Sequence, residues 1–155
     1  MGLRLPLHSR TQIDLNTRFI GREFYCFHKV TSTMDIAHRL AKGGAANGTV
    51  ILAEVQERGR GRMKRRWFSP EGGIWFSIIL RPSFDREKTP LVTLLSSLAA
   101  LRTIKKFAKV RVHLKWPNDV LIGERKVCGI LTESKSCDGK IEYLVVGIGM
   151  NLNLR

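Results

Sequence analysis

Acidic side chains are scarce in this chain of 155 residues, where 13 Asp and Glu stand against 27 Lys and Arg and give a formal net charge of +14. The isoelectric point is near 10.5. This surplus favours an anionic partner, whether nucleic acid, a nucleotide or an acidic protein, but it does not choose among them. The same charge also fits a surface that is simply rich in lysine and arginine.

Cysteine and histidine are also few, and neither is arranged as in a metal centre or a disulfide framework. The three cysteines are odd in number and widely spaced: Cys26, Cys128 and Cys137. The four histidines are equally scattered: His8, His28, His38 and His113. We interpret the thiols as the reduced cysteines of a cytoplasmic protein, and we expect no tightly bound metal.

Long hydrophobic runs are missing, since no apolar stretch approaches the ~20 residues that span a bilayer. Residues 1–16 mix charged and apolar side chains and lack the apolar core of a secretory signal. We therefore expect a globular protein away from membranes, with residues 1–18 as an N-terminal arm and residues 19–155 as one domain. The arm is too short for a helix-turn-helix domain.

The most unusual stretch that is present runs from Glu54 to Trp67. It carries six basic residues within nine positions: Arg58, Arg60, Arg62, Lys64, Arg65 and Arg66. Gly59 and Gly61 lie between them and let the backbone approach a ligand closely. Guanidinium groups bind phosphate oxygens bidentately. With strand-like runs on both sides, the stretch is predicted to be a flexible loop that closes over an anion.

A short helix is predicted after a first strand at residues 19–30. Ser32 is a good N-cap, and Asp35 three residues later resembles a capping box. One apolar face follows, formed by Met34, Ala37, Leu40 and Ala41, and two glycines at 43–44 end the helix. Ser32 and Thr33 have two interpretations. Local sequence favours a simple helix cap, whereas a helix N-terminus also presents N–H and hydroxyl groups to ligands.

A longer helix is predicted from Thr89, as N-cap, through Pro90 to about Lys109. Its apolar stripe is expected to pack on the sheet and consists of Leu91, Leu94, Leu95, Leu98, Leu101 and Ile104. Further strands are predicted at residues 49–54, 74–80, 110–114, 120–122, 126–134 and 140–146. Two helices among meandering strands indicate an α+β fold, with helices packed on a mixed, largely antiparallel sheet.

Four polar segments fall at predicted strand ends or turns, where small-molecule pockets are often assembled. Their residues resemble those of one family, the catalytic domain of biotin protein ligases, over about residues 19–153. The matching motifs are Thr31–Met34, Gln56, Gly59–Arg62, Arg65–Trp67, Lys115–Val120, Lys126–Leu131 and Gly147–Asn151. The resemblance implies the class II synthetase-like fold of biotin and lipoate ligases.

The resemblance also implies a reaction. Biotin and ATP, with Mg²⁺, give biotinyl-5′-AMP and pyrophosphate, and biotin then passes to a lysine of a biotin carboxyl carrier protein. The implied catalytic residues are Lys115 and Arg62. The implied biotin-binding residues are Ser32, Thr33, Met34, Gln56, Arg60, Gly61, Arg62, Trp67 and Lys115. The implied nucleotide-binding residues are Arg62, Lys115, Asn118 and Asn151.

Two departures from the family pattern stand out. The basic loop usually reads Gly-Arg-Gly-Arg-x-Gly-Arg, but Lys64 takes the place of its third glycine. If that position requires a positive φ, lysine adds about 1 kcal/mol of strain. In addition, the family continues with helices and a small β-barrel beyond the position of Arg155. We therefore weigh a truncated chain, a partner chain that supplies the rest, and a reduced paralogue.

Three functions besides that of a complete biotin ligase remain open. A lipoate or octanoate ligase would share the fold, although the glycine–arginine motif beside Lys115–Asp119 favours biotin. A shortened paralogue would bind biotin with little turnover. A nucleic-acid-binding protein has charge alone in its support and is the remote alternative. Ligases of this type often form homodimers through the sheet, but the sequence does not locate an interface.

Overall fold

The computed structural model describes residues 15–153 together with the backbone of residues 9–11. The strands of this part are β1 Ser9–Thr11, β2 Phe24–Val30, β3 Val50–Arg60, β4 Arg66–Ser69, β5 Ile74–Leu80, β6 Val112–Lys115, β7 Asp119–Ile122, β8 Arg125–Cys137 and β9 Lys140–Met150. The helices are α1 Thr33–Lys42 and α2 Thr89–Phe107, and short 3₁₀ turns cover Arg62–Lys64 and Arg86–Lys88. Neither helix is long and apolar enough to cross a membrane.

All these strands belong to one sheet in the order β1-β2-β3-β5-β9-β8-β7-β6, with β4 paired to β3. Strands β2 and β3 are parallel because α1 connects them, and the other pairs are antiparallel. The predicted α+β fold, with a mixed and largely antiparallel sheet, is confirmed.

The two helices pack on opposite faces of the sheet, because side chains alternate along each strand. On β9, Tyr143 and Val145 join the cluster around α1, while Val146 and Ile148 join the cluster around α2. The central strands are therefore covered on both faces, and their middle residues are fully buried.

The beginning of the domain differs from the prediction in one respect. The first strand of the domain starts at Phe24 rather than at residue 19, and residues 19–23 form turns and bends before it. Within the predicted arm, β1 pairs antiparallel with β2, so that Ser9 lies opposite Cys26. The rest of the arm before residue 15 lies outside the described residues.

Helix α1 begins and ends as the sequence predicts. The Ser32 hydroxyl accepts a hydrogen bond from the Met34 amide at 3.3 Å, and Gly43 is the C-cap. The Asp35 side chain does not complete the expected capping box at Ser32. Its carboxylate instead lies 3.1 Å from Arg60 Nη1, because the neighbouring strand β3 brings a guanidinium within reach.

The prediction of a flexible loop at residues 54–67 is wrong. Strand β3 continues to Arg60, and β4 returns beside it, with Gly59 opposite Trp67 and Arg60 opposite Arg66. Ladder hydrogen bonds thus order a stretch whose composition alone favours no regular structure. The close pairing needs glycine, since a Cβ at Gly59 would lie 2.5 Å from the Trp67 carbonyl oxygen.

The prediction for α2 is partly wrong. The N-cap is Lys88 rather than Thr89, because the 3₁₀ turn leads directly into the helix, which ends at Phe107. Leu91 and Leu95 from the predicted core stripe are 55% and 65% exposed. The helix instead buries its small residues Ser97 and Ala100. The Ser97 hydroxyl bonds the Pro117 carbonyl oxygen at 3.1 Å, so the helix approaches the sheet through this narrower face.

The hairpin tip gives a first testable prediction. Lys64 has φ 59°, in the left-handed region, as expected if this position of the family pattern requires a positive φ. Because glycine adopts this conformation without steric cost, Lys64→Gly should slow amide hydrogen exchange in the tip by about threefold. The amides to follow are Gly61 N–H, which bonds the Arg65 carbonyl at 2.8 Å, and Arg65 N–H, which bonds the Arg62 carbonyl at 3.1 Å.

The matched control for this change is Arg65→Gly. Arg65 has φ −69°, so glycine there relieves no strain and should leave exchange unchanged or make it faster. Equal effects of the two glycines would contradict the strain at Lys64.

Candidate functional site

The site lies where three glycines leave the α1 face of the central sheet without side chains. Gly129 on β8 pairs directly with Gly149 on β9, and Gly147 lies two residues before Gly149 on the same face. Two large side chains rest on this glycine floor. A Cβ at Gly149 would lie 2.5 Å from Trp67 Nε1, and a Cβ at Gly147 would lie 2.7 Å from Met34 Sδ. Any larger residue would displace the walls of the pocket.

One end of the pocket is a network of neutral polar groups. The side-chain carbonyl oxygen of Gln56 accepts hydrogen bonds from the Thr33 backbone N–H at 2.8 Å and from the Thr33 hydroxyl at 3.0 Å. Gln56 Nε2 donates to the Ser69 hydroxyl at 2.8 Å, and the Thr33 and Ser77 hydroxyls lie 2.8 Å apart. These bonds fix both the oxygen and the nitrogen of the Gln56 side-chain amide. Ser32 lines the same end, so its two interpretations are compatible: it caps the helix and borders the pocket.

The opposite end carries positive charge from two different elements. Arg62 Nη1 donates to Asn118 Oδ1 at 2.8 Å, and the buried Asn118 amide donates to the Ile130 carbonyl at 3.3 Å. Lys126 Nζ lies 4.8 Å from the centre of the Trp67 ring and 2.8 Å from Asp119 Oδ1. A cation above an aromatic face is held by the ring quadrupole.

Most of the residues predicted to bind biotin meet in this pocket. Its lining includes Ser32, Thr33, Met34, Gln56, Arg60, Gly61, Arg62 and Trp67, and also Asn118 from the predicted nucleotide set. Lys115 and Asn151 are not in the lining. Lys115 is exposed at the end of β6, opposite Asp119. Asn151 lies beyond β9, and its side chain donates to the Lys126 carbonyl at 3.1 Å.

Sequence reasoning missed Lys126 as a site residue. The lysine begins the motif Lys126–Leu131, but no local signal shows that it lies above Trp67, about sixty positions away. The same holds for the wall residues Phe76, Ile130, Leu131 and Ile148. Ile130, Leu131 and Ile148 fall within motifs that resemble the family, whereas Phe76 has no signal beyond its place in the apolar strand β5.

The titratable groups near the pocket have distinct environments. Burial, reinforced by the charge of Asp119, raises the pKa of Cys128 to about 12, so this thiol stays protonated and is not a nucleophile. A hydrogen bond from His38, assisted by the charge of Arg60, holds the pKa of Glu133 below its usual range. Glu133 is therefore a carboxylate at neutral pH.

The arrangement has a defined chemical capacity. A neutral polar head can bond the Thr33–Gln56 end, an apolar body can lie against Trp67 and Met34, and an anionic tail can meet Arg62 and Lys126. In residues 15–153 no three His, Cys, Asp or Glu side chains are grouped so that they could hold a metal ion. Asp119, the carboxylate beside the pocket, is already paired with Lys126.

Comparison with known proteins agrees with this geometry. The family model described as the Biotin/lipoate A/B protein ligase family matches residues 25–151. The bifunctional ligase/repressor BirA of Bacillus subtilis is 40% identical over 146 residues, which cover 94% of this chain and 45% of that protein. The biotin–[acetyl-CoA-carboxylase] ligase of Paracoccus denitrificans is 35% identical over 126 residues, which cover 80% of this chain and 52% of that protein.

Solved structures give the same result. The biotin protein ligase of Aquifex aeolicus in complex with biotin and ATP has a TM-score of 0.69 and 36% identity, over 85% of this chain and 53% of that one. The Leishmania major ligase in complex with biotinyl-5-AMP has a TM-score of 0.73 and 29% identity, over 84% and 57%. This chain thus spans about half the length of the relatives that it matches. Because the family model matches residues 25–151, most of its length, the chain belongs to the biotin/lipoate A/B protein ligase family.

Proposed function

We propose that this chain is the biotin-activating part of an ATP-dependent biotin ligase. In that reaction biotin becomes biotinyl-5′-AMP, and biotin is then transferred to a lysine of a biotin carboxyl carrier protein. The observation that carries the proposal is the pocket itself, whose lining combines neutral hydrogen-bonding groups, apolar walls and the cations Arg62 and Lys126. Relatives crystallised with biotin, ATP or biotinyl-5-AMP support this choice of ligand.

The neutral end suits the ureido ring of biotin. A ureido group has two N–H donors and one carbonyl acceptor, and the Ser32, Thr33 and Gln56 groups offer both kinds of partner. Because Gln56 is already fixed by Thr33 and Ser69, little freedom is lost when a ligand binds. The backbone of Arg60 to Arg62 borders the same cavity, and Met34 and Trp67 cover the apolar rings.

The cationic end suits the chemistry of adenylation. A biotin carboxylate oxygen attacks the α-phosphorus of ATP, a carboxyl–phosphate bond forms, and the bond to the β-phosphate oxygen breaks to release pyrophosphate. Two anions must therefore approach each other, and fixed cations lower that Coulombic cost. Arg62, steadied by Asn118, and Lys126 border the pocket, while Lys115 lies outside its lining and is proposed to reach the phosphate region from β6.

Magnesium is proposed to arrive with the nucleotide. Mg²⁺ prefers oxygen ligands and keeps several waters, and it commonly binds through substrate phosphates with one or two carboxylates. The ion is proposed to be carried by ATP rather than held by a cage of protein carboxylates. Asn151 supports the site through the Lys126 carbonyl and lies at the end of the strand that bears Gly149.

Before the second half-reaction, biotinyl-5′-AMP must be protected from hydrolysis. The ε-amino group of the carrier lysine attacks the acyl carbon of the mixed anhydride, an amide bond forms, and AMP leaves. Until then water must be excluded from the anhydride. The basic hairpin tip, Gly61 to Arg65, includes Arg62 and carries charges that repel one another until an anion neutralises them. We propose that it closes over the adenylate.

The first test concerns the proposed cations. Arg62→Ala and Lys115→Ala should each lose ~2–4 kcal/mol of transition-state stabilisation in biotin-dependent pyrophosphate release, as expected for loss of one preorganised donor. Arg58→Ala removes the same charge from an exposed position on β3 outside the pocket lining and serves as control. Adenylation at the wild-type rate in Lys115→Ala would refute the assignment of Lys115.

The second test separates biotin from lipoate, which the family description also includes. Calorimetric titration should show biotin binding at least about tenfold more tightly than lipoate, because lipoate has no ureido group to hydrogen-bond with the Ser32, Thr33 and Gln56 side chains. Gln56→Leu should remove most of that preference. Tighter binding of lipoate would identify lipoate, rather than biotin, as the substrate.

The same titration, repeated with ATP, separates a ligase from a shortened biotin-binding paralogue and from a nucleic-acid-binding protein. Biotin binding without pyrophosphate release would identify a paralogue with little turnover. Steeply salt-dependent binding of DNA or RNA, with no affinity for biotin, would instead favour nucleic-acid binding.

A further inference from the structure

A charged cluster outside the polar and cationic ends of the pocket holds the base of the hairpin. The side chain of Arg60, the last residue of β3, contacts two carboxylates at once: Nη1 lies 3.1 Å from Asp35 Oδ1, and Nη2 lies 3.1 Å from Glu133 Oε2. Glu133 Oε2 also lies 2.8 Å from His38 Nε2. We call these four residues, Asp35, His38, Arg60 and Glu133, the Arg60 clamp.

The clamp joins three elements that surround the pocket. Asp35 and His38 belong to α1, Arg60 to β3 and Glu133 to β8. Two nitrogens of one rigid guanidinium therefore bridge a helix on one side and a strand on the other. His38 Nδ1 lies 3.4 Å from the Tyr143 hydroxyl on β9, which ties the cluster to the central strand.

Around Arg60 the hairpin is also tied by Arg66 Nη2, which donates to the Glu57 carbonyl at 2.9 Å, and by Arg62 Nη1, which donates to Asn118 Oδ1 at 2.8 Å. The ladder between β3 and β4 shifts register between Gln56 and Gly59, and its last pair is Arg60 with Arg66. Beyond that pair come Gly61 and Arg62, which line the pocket. Each ion pair is half-exposed and weak alone, at about 0.2–1 kcal/mol. Their importance comes from their position, because they hold Arg60, the residue directly before the hairpin tip.

We propose that Asp35 and Glu133 are positioning residues for the hairpin. They hold Arg60 so that the backbone of residues 60–62 already faces the pocket before substrate arrives. The clamp thereby reduces the ordering that substrate binding must supply, which is the general advantage of preorganisation. Its effect on substrate rests on the proposed function, whereas its effect on the hairpin does not.

The ligand-free test is limited trypsin cleavage within residues 58–66, whose arginines and lysine become substrates when the hairpin opens. The double variant Asp35→Asn/Glu133→Gln should be cleaved there about three- to tenfold faster than wild type, since two weak ion pairs are lost with little change in shape. Circular dichroism confirms that the variant is folded. Should the double variant not fold, the two single variants are compared instead.

The matched control is Glu57→Gln, which breaks the ion pair between Glu57 and Lys29 on the same strand, 2.8 Å long and likewise half-exposed. Its cleavage should stay within about twofold of wild type, in line with other exposed pairs. An equal acceleration in Glu57→Gln, or unchanged cleavage in the clamp variants, would overturn the proposal.

The test with substrate is the split between KM and kcat in adenylation. Loss of the clamp should raise the KM for biotin about fivefold or more and leave kcat within about twofold, because the hairpin still closes once biotin is bound. Arg60→Lys, which keeps the charge but not the fork, should be intermediate. A fall in kcat at unchanged KM would contradict a positioning role. If wild type binds no biotin, the proposed function fails while the cleavage result still decides the clamp.

A pH prediction follows from the carboxylate of the clamp. His38 from α1 and Arg60 from β3 contact Glu133 directly, while Asp35 is joined to the cluster through Arg60 and Tyr143 through His38. The pKa of Glu133 is lowered by its hydrogen bond with His38 and by the charge of Arg60, so its stabilisation is complete above the ordinary glutamate pKa of ~4.3 and disappears as the pH falls through the lowered value. In urea unfolding, the stability gap between wild type and Glu133→Gln should persist from pH 7 to pH 5 and vanish at lower pH. A gap that disappears already above pH 5 would contradict this.

Discussion

The close seating of Trp67 on Gly129 and Gly149 is the constraint on which the site depends. These glycines face each other across β8 and β9, and they leave no room for a single methyl group beneath the indole. Their bare backbone gives the pocket its depth, and the indole in turn gives Lys126 a ring to lie on. Because the glycines belong to β8 and β9, which pair along most of their length inside the sheet, the floor is as rigid as the sheet. The pocket is therefore built by omission of side chains rather than by a loop that folds around a ligand.

The few acidic residues near this floor determine which cations of the site have a carboxylate partner. Of the few carboxylates, Asp119 pairs with Lys126, while Asp35 and Glu133 pair with Arg60. Each restrains a cation at the edge of the pocket, and Arg62, held by a neutral amide from Asn118, keeps its full charge for an incoming anion. Near the site the cations thus differ in their partners: Arg60 and Lys126 have carboxylates, Arg62 is held by an amide, and Lys64, Arg65 and Arg66 of the hairpin are exposed.

Sequence reasoning succeeded where local chemistry decides. The N-cap at Ser32 and the end of α1 at Gly43 follow from neighbouring residues. The positive φ at Lys64 agrees with the family pattern, which has glycine there, and most of the residues predicted to bind biotin line one pocket. It failed where distant partners decide. Strand β4 exists because β3 offers it a ladder, and α2 turns its small residues inward because the sheet leaves a narrow space. Lys126 lies over Trp67 and Asp35 pairs with Arg60. Both partners are distant in the sequence, so local sequence predicts neither contact.

The two ends of the pocket are prepared to different degrees, and this difference orders the proposed events. At the Gln56 end every hydrogen bond runs between partly buried groups of the sheet and α1, so the shape exists before any ligand. At the opposite end Arg62 is exposed on a 3₁₀ tip, and Lys115 lies outside the lining. A neutral ring can therefore bind at the Gln56 end without rearrangement, whereas binding of an anion requires Arg62 and Lys115 to move towards it. Biotin is expected to meet the rigid end first, and its carboxylate then adds the negative charge that helps draw the hairpin and the nucleotide together.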